Sequence, residues 1–411
     1  MRTVKTTTSI AVCSTPSNSV LIGMNHQLPQ GYRAAGVYSG VKRNPQKPDL
    51  ALVVSDQPAI GVGVFTQNIV CGAPVKLNRS RTPSDAIQAV VINSGVANAC
   101  TGAQGDADAA EMATKTARAC GLAPEQVLVM STGLIGEMLP MDKISAGIKQ
   151  AAAALDADGP SLLAAARGMM TTDTCEKIRS REFELEGVTY RITGIAKGAA
   201  MIGPNMATML AVIMTDARLT VESARAALHD AVNESFNCIS VEGHTSTSDT
   251  VLLLANAAAG GPNLVGDALT KFQATLVELS EDLAQSIPAD GEGASHLITV
   301  EVHGAATRAD AVKIARTVAD SPLVKTAVTG ADPNWGRIVS AAGYAGVPFD
   351  PDRVSLHMTD ALLYERGAPA PFDADAVSLS IRTSRDTHIT LILEEGTACA
   401  RFWTTDLTAE Y

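Results

Sequence analysis

The sequence predicts a layered α/β fold, and three of its features support that prediction. The chain has 411 residues, 46% of them hydrophobic and 18% charged, so it can bury a large core in one elaborated domain or in two or three. Only 4% are aromatic, so the core is built from small and aliphatic side chains, as is usual where helices pack on sheets. Short apolar runs also end repeatedly in Gly-rich polar turns that lead into helical patterns.

Strand and helix patterns alternate through the first 175 residues. Residues 1–30 read as a loose arm, and residues 51–55 and 61–65 look like two paired strands. Residues 89–93 and 127–130 are apolar enough to be fully buried strands. The helices predicted in this part span 106–119, 141–155 and 161–170.

The second half continues the alternation of strands and helices, and then strand patterns become more frequent near the end. Residues 183–193 alternate like a hairpin that turns at Glu186-Gly187, and 251–254 fit either a strand or a helix. The remaining predictions are helices at 221–235, 267–285 and 309–319, and strands after 235 and at 296–302, 377–382, 388–393 and 397–403. The alternating strands near the end predict a smaller α/β subdomain. No repeat or linker is visible, so we expect any break in the chain to be chemical.

Bulk properties exclude several classes of function. The net charge of −11, without a basic block, argues against a nucleic-acid partner. No apolar run approaches the ~20 residues that span a bilayer. Seven cysteines without a CxxC pair argue against a disulfide framework or a zinc site. The Ser/Thr-rich start has too few basic residues for a transit peptide, and we predict a cytoplasmic enzyme.

The stretch Lys197–Ala217, KGAAMIGPNMATMLAVIMTDA, contains the most suggestive residue. Thr208 follows Ala207 after a Gly-rich loop and opens an apolar run. A threonine hydroxyl is a weak nucleophile, but it becomes effective if its own amino group is freed to act as the base. On local pattern alone, the more common explanation is a β-branched residue at a strand start.

Other polar turns follow strands or helices, where α/β proteins place their sites. Thr132 and Gly133 could together present a hydroxyl and an unobstructed N–H to an oxyanion, although a simple strand-to-helix turn is the more common explanation for this segment alone. The turns of this kind are 93–99, 131–136, 171–174, 197–208, 243–250, 290–293 and 330–336.

Two charged residues in these turns suit an amino-acid substrate. Lys197 could bind a carboxylate and Glu292 an amino group, although such a lysine is usually a surface charge and such a glutamate usually part of a turn. His244 and Asp249 flank a Ser/Thr cluster, but no second histidine lies at ligand spacing, so we predict no metal. Trp335, in a turn of its own, suits a site loop or a packing anchor.

Taken together, these turns resemble one family. The chain is similar to the ornithine acetyltransferases, or glutamate N-acetyltransferases, of the cyclic arginine pathway, from about residue 28 to 408. The matching segments follow the family's order: LPQGYRAAGVYSGVK, NSGVANACTGAQG, STGLIGEMLPMDKI, MTTDT, AKGAAMIGPNMATMLAVIMTDA, SFNCISVEGHTSTSDTVLLLAN, ADGEGA and SPLVKTAVTGADPNWGRI.

The resemblance implies a self-cleaving enzyme. The precursor would break between Ala207 and Thr208, giving an α chain of 1–207 and a β chain of 208–411 with a C-terminal subdomain from about 300. The freed Thr208 would take an acetyl group from N2-acetyl-L-ornithine and pass it to L-glutamate. The implied fold is an αββα-type sandwich, and the implied particle is α2β2.

The resemblance also assigns roles to residues. Thr132 and Gly133 match the oxyanion-hole positions, and Thr171, Lys197 and Glu292 match substrate-binding positions alongside Thr208. No metal or organic cofactor is implied. Acetyl-CoA as a further donor is left open, because no motif marks it.

The sequence departs from the family pattern at three places. Val96 replaces the usual Asn of one turn, and His244 and Ser248 stand where Asp and Asn are common. The family's final Asn and Thr, which help to bind substrate, have no counterpart before Tyr411, so we expect acceptor binding to be affected unless another segment closes the pocket.

Alternatives remain open at this stage. A related aminopeptidase or amidase with an N-terminal nucleophile would pass the acyl group to water. Another use of the fold would acetylate a different amine, and an uncleaved homologue would only bind acetylated amino acids.

Overall fold

A computed structural model describes residues 26–203 and 209–411. Within these ranges the larger sheet has eight strands in the order β4-β3-β2-β8-β7-β6-β5, with β1 paired to β2. The β3–β4 and β7–β8 pairs are parallel and the other pairs antiparallel. The strands are β1 (Tyr32–Val37), β2 (Leu50–Phe65), β3 (Ser84–Val96), β4 (Val127–Leu134), β5 (Lys177–Leu185), β6 (Val188–Lys197), β7 (Leu210–Thr215) and β8 (Thr250–Ala255).

Strand β2 belongs to both halves of this sheet. Its residues Leu50–Val54 pair with β3 and β1, the register shifts around Ala59, and Ile60–Phe65 pair with β8. Such irregularities bend a strand, so the two halves can face each other. Alternate residues of both halves meet in one buried cluster, which includes Val53 and Val212.

Helices cover the outer faces of the two halves. Alternate residues of β2, β3 and β4 pack under α2 and α3, and those of β6, β7 and β8 pack under α5 and α6. The result is a four-layer α-β-β-α sandwich, which confirms the predicted fold class. The helices of this part are α1 (Ala73–Arg81), α2 (Gly102–Cys120), α3 (Met141–Ala153), α4 (Gly159–Met169), α5 (Val221–Glu234) and α6 (Gly266–Ala289).

A second, six-stranded sheet follows in the described part of the chain, in the order β12-β11-β10-β13-β9-β14. Its hydrophobic core is continuous with the layer under α5 and α6. Its strands are β9 (Leu297–Ala305), β10 (Ser355–Met358), β11 (Ala361–Glu365), β12 (Ala368–Pro369), β13 (Asp386–Ile392) and β14 (Ala398–Thr405). Its helices are α7 (Arg308–Ala319), α8 (Pro322–Thr329), α9 (Trp335–Gly343) and α10 (Ala374–Thr383).

Three predictions of secondary structure were wrong. Residues 51–55 and 61–65 are parts of the single strand β2, not partners of each other. Residues 377–382 lie in helix α10, because Asp373 caps the helix by accepting from the Ala376 N–H at 3.0 Å. The stretch after 235 is not a strand, since a 3-10 turn at Phe236–Cys238 leads into one isolated bridge.

Other predictions were confirmed. The 183–193 hairpin turns between β5 and β6 at Glu186-Gly187, and 251–254 form part of strand β8. Trp335 stacks on Tyr364 with ring centroids 5.4 Å apart, so it is a packing anchor. Most of the expected N-terminal arm, residues 1–25, lies outside the described residues.

Across residues 26–203 and 209–411, none of the helices combines the length and the apolar character needed to cross a membrane.

Candidate active site

Thr132 and Gly133 lie side by side where the parallel strands β3 and β4 end. Thr132 pairs with Ser94 and Gly133 with Gly95. Gly133 has φ +132°, and a Cβ there would lie 2.2 Å from the carbonyl carbon of Gly95, so no other residue fits. The Thr132 side chain is buried while Gly133 is exposed. A hydroxyl and an accessible glycine backbone are therefore adjacent at this sheet end.

Lys197 is the last residue of β6 and is buried against this pair. Its Nζ donates to the Thr132 Oγ1 at 3.4 Å, and only 2% of its side chain is exposed. Burial lowers the pKa of Lys197, and the nearby Asp173 carboxylate opposes that effect. Lys197 also pairs with Leu210 at the start of β7. The strand that begins after Thr208 thus starts beside the backbone of Lys197.

A buried ionic chain, formed by Asp173, Lys177 and Asp290, lies next to Lys197. The Lys177 Nζ donates to the Asp173 Oδ1 at 2.8 Å and to the Asp290 Oδ2 at 2.6 Å, and all three side chains are at most 5% exposed. Asp173 also accepts from the Gly198 N–H at 2.6 Å, and Asp290 accepts from the Thr174 N–H at 3.0 Å and from the Thr174 hydroxyl. Every member of the chain is satisfied, as buried charges require.

Opposite charges in this ionic chain stabilise the ionised forms of Asp173 and Lys177. Burial alone would raise the pKa of Asp173, but the ammonium groups of Lys197 and Lys177 hold it well below its usual range. Burial would likewise lower the pKa of Lys177, yet the carboxylates of Asp173 and Asp290 raise it above its ordinary value. Asp173 lies 4.0 Å from the Lys197 Nζ, so it ties that ammonium to the buried chain.

Thr171 and Glu292 reach the same region through their backbones. The Thr171 N–H donates to the Asp173 Oδ2 at 3.0 Å. The Glu292 N–H donates to the Ala199 carbonyl at 2.9 Å, two residues beyond Lys197. The structure therefore brings together Thr132, Gly133, Thr171, Lys197 and Glu292, which lie on four separate segments of the chain.

Ala207 and Thr208 lie outside the described residues. The first described residue after them is Met209, and its N–H donates to the Asp249 Oδ1 at 3.1 Å. Burial raises the pKa of Asp249 to about 8, although the Met209 N–H bond and Lys197 act in the opposite direction. A buried carboxyl thus adjoins the strand that begins after Thr208.

His244 and Asp249 do not form a joint site. The His244 side chain is 78% exposed and lies 3.8 Å from Glu242, whereas Asp249 is buried at β8. Among residues 26–203 and 209–411, no group of three His, Cys, Asp or Glu side chains is placed to hold a metal ion. Ser248, the other departure in this segment, is buried and donates its N–H to the Ser246 hydroxyl at 3.0 Å.

The last residues of the chain lie against the Glu292 turn. The Thr408 hydroxyl donates to the Gly293 carbonyl at 2.7 Å, and Glu410 and Tyr411 pass so close that a Cβ at Gly293 would lie 2.8 Å from them. Burial and the carboxylates of Glu242 and Glu292 raise the pKa of Tyr411 to about 12. These residues cover one side of the turn that carries Glu292.

Four of the supporting residues were missed or misread in the sequence. Asp173 and Asp290 lie inside the polar turns singled out above, so their position was visible but their role was not. Lys177 opens a strand and carries no local signal at all. Asp249 was grouped with His244, although its partner is the backbone beside Thr208.

Asp249 gives a testable dependence of stability on pH. The folded state keeps the proton up to about pH 8, whereas the unfolded chain loses it near the ordinary value of 3.8. Between these values the folded state binds more protons, so this carboxyl makes the free energy of unfolding fall as pH rises. In Asp249→Asn the amide oxygen can still accept from Met209, and that fall should disappear.

Urea unfolding of both proteins at several pH values across that window checks the expectation. The stability of the Asp249→Asn protein relative to the parent should increase with pH. If the free energies of unfolding of the two proteins changed with pH in parallel, the pKa of Asp249 would be the same in the folded and unfolded states.

The arrangement as a whole suits acyl transfer to or from an amino acid. An adjacent hydroxyl and glycine N–H can stabilise an oxyanion, a buried cation can bind a carboxylate, and a nearby carboxylate can bind an amine.

Comparison with known proteins finds a matching family model and several similar proteins. A family model described as the ArgJ family matches residues 33–411. The arginine biosynthesis bifunctional protein ArgJ of Rhodopirellula baltica is 44% identical over 390 residues, covering 94% of this chain and 95% of that protein. The protein of the same name from Symbiobacterium thermophilum is 48% identical over 386 residues, covering 93% and 95%. A solved ArgJ structure from Bacillus halodurans is 35% identical and covers 49% of this chain and 95% of its own, with a TM-score of 0.48.

Proposed function

The chain belongs to the ArgJ family, and on that premise we propose that it transfers an acetyl group from N2-acetyl-L-ornithine to L-glutamate. As a member of this family it is an acyltransferase of arginine biosynthesis that acts on small amino-acid substrates. The observation that best supports the specific reaction is the contact of buried Lys197 with Thr132 beside the exposed Gly133. That contact sets a carboxylate-binding cation next to an oxyanion-binding pair.

The proposed reaction has two half-reactions with Thr208 as nucleophile. Cleavage of the Ala207–Thr208 peptide bond frees the Thr208 α-amine, which then takes the hydroxyl proton as Oγ attacks the acetyl carbonyl. The new C–O bond forms, the amide C–N bond breaks, and ornithine leaves with the proton. The glutamate amine then attacks the acetyl ester, and the Thr208 hydroxyl is regenerated with the proton lost by that amine.

The other site residues act on the charges of the reacting groups. The Thr132 hydroxyl and Gly133 N–H donate to the oxyanion that forms at the acetyl carbonyl in both half-reactions. Lys197 binds the α-carboxylate of the amino acid, Thr171 adds a polar contact, and the Glu292 carboxylate receives the free amine of ornithine. The two oxyanion donors thus act on charge that develops in the transition state, whereas Lys197 and Glu292 act on charges that the substrate already carries.

The proposed mature protein contains two kinds of chain. It consists of an α chain of residues 1–207 and a β chain of residues 208–411, the latter with a C-terminal subdomain from about residue 300, assembled as α2β2 in the cytoplasm. No metal or organic cofactor takes part, because the nucleophile, base and oxyanion donors all come from the chain. Acetyl-CoA enters the proposal only as a donor to be tested.

A transfer assay separates this function from its alternatives. Purified protein is incubated with N-acetylornithine and isotopically labelled glutamate, and the labelled product is identified. We expect labelled N-acetylglutamate and free ornithine in equal amounts. Free acetate formed at the same rate with or without glutamate would instead indicate an amidase. Absence of both products would indicate a binding protein, and replacing N-acetylornithine by acetyl-CoA tests the second donor.

A further inference from the structure

The two loops that carry Lys197 and Glu292 are held together by two separate links. One link is direct, because the Glu292 N–H donates to the Ala199 carbonyl at 2.9 Å. The other is the buried ionic chain defined above, which runs from Asp290 through Lys177 to Asp173. Asp290 lies two residues before Glu292, and Asp173 accepts from the Gly198 N–H directly after Lys197.

The ionic chain is more than a local ion pair. Its members Lys177 and Asp290 are 113 residues apart in sequence, and none of the three side chains is more than 5% exposed. Water therefore screens these charges little, and their geometry is stiff. In the proposed mature protein, Asp173 and Lys177 lie on the α chain and Asp290 on the β chain. The link thus crosses the boundary between the two chains within a few residues of both substrate-binding charges.

The geometry points to a molecular ruler: the Asp173–Lys177–Asp290 chain fixes the spacing between Lys197 and Glu292 and thereby selects the length of the acetylated diamino acid. This inference rests on the proposed function, in which Lys197 binds the α-carboxylate and Glu292 the side-chain amine. A donor with one methylene more or less would misplace its amine, its carboxylate or its acetyl carbonyl. Asp173, Lys177 and Asp290 are positioning residues, since they act on the substrate only through the loops they hold.

The spacing between the two loops can be loosened without touching substrate-binding side chains. Asp290→Asn keeps the size of the side chain and its ability to accept from Thr174, but removes its charge interaction with Lys177. Thr174→Val removes the hydroxyl that donates to Asp290 and affects an exposed residue, so it serves if the first variant does not fold. Glu394→Gln is the matched control, because it removes the charge from an exposed pair with Arg353 next to the second sheet.

The experiment compares three donors with labelled glutamate as acceptor: N2-acetyl derivatives of ornithine, of lysine and of 2,4-diaminobutyrate. In the parent protein, kcat/KM for acetylornithine should exceed that for either neighbour by about 10–200-fold, the usual effect of one methylene in a specific site. Asp290→Asn should raise KM for acetylornithine and move both ratios toward one while self-cleavage persists, and Tm should fall because the buried Lys177 ammonium loses one of its two carboxylate partners. Glu394→Gln should leave both ratios unchanged.

Two results would overturn the ruler while leaving the transferase intact. One is a parent protein that transfers acetyl from all three donors with similar kcat/KM. The other is a folded, cleaved Asp290→Asn or Thr174→Val protein that loses activity equally toward every donor. A parent protein that transfers acetyl from none of them would instead refute the proposed function.

Discussion

Replacing Thr208 with alanine is expected to abolish both self-cleavage and acetyl transfer. The alanine side chain has no oxygen to attack the Ala207 carbonyl, so the precursor should stay as one chain of 411 residues. The same loss removes the acyl acceptor of the first half-reaction. A denaturing gel and intact mass report the cleavage, and the labelled-glutamate assay reports the transfer.

Thr208→Ser separates the chemistry from the side-chain shape. Serine keeps the hydroxyl and loses only a methyl group, so cleavage and transfer should both persist at reduced rates. If Thr208→Ala instead transferred acetyl at the rate of the parent protein, another residue would be the nucleophile.

Gly133→Ala is expected to have the next largest effect, lowering kcat for transfer by about 10²–10³-fold. That range is typical of losing one oxyanion-hole donor. The added Cβ would meet the carbonyl carbon of Gly95 at 2.2 Å, and the backbone at Gly133 has φ +132°, which L-residues rarely adopt. The end of β4 must therefore shift, and the Gly133 N–H shifts with it.

Gly136→Ala is the matched control in the same loop. Gly136 also has a positive φ of +85°, but a Cβ there would meet nothing within 4 Å. Strain alone should cost that variant about 1 kcal/mol of stability and leave kcat nearly unchanged. Equal losses of kcat in both variants, measured by the transfer assay, would mean that the loop's flexibility and not the Gly133 N–H matters.

The parts of the site that sequence reasoning found lie at the ends of strands. Thr132, Gly133 and Lys197 follow or end apolar runs, and the strands that carry them, β4 and β6, belong to the two half-sheets that face each other. Local pattern was sufficient to identify them as candidates. The family resemblance supplied their roles, and the structure adds that Lys197 contacts Thr132 directly.

The ionic chain under the site could not be predicted in the same way. Lys177 finds Asp290 only because the end of α6 packs beside the start of β5, a contact between segments 113 residues apart. Each residue by itself has the pattern of an ordinary surface charge or turn. Burial turns such charges into obligatory partners, and burial is a property of the folded chain.

The errors in secondary structure have a similar origin. In α10, Val377 and Ile381 are the buried residues, and a spacing of four fits both a helix and every second residue of a strand. Over six residues the two periods cannot be told apart, and the Asp373 cap decides between them. At β2 the predicted strands 51–55 and 61–65 are one, because the chain continues through an irregular register to the second half-sheet.

The most direct test of the proposed mechanism is the mass of the 208–411 fragment after exposure to N-acetylornithine. Without acceptor, this fragment should gain the mass of one acetyl group, located by peptide fragmentation at Thr208, while the 1–207 fragment stays unmodified. Addition of glutamate should remove the acetyl group and yield N-acetylglutamate. A protein that remains one uncut chain, or that carries the acetyl group on a residue other than Thr208, would contradict the mechanism.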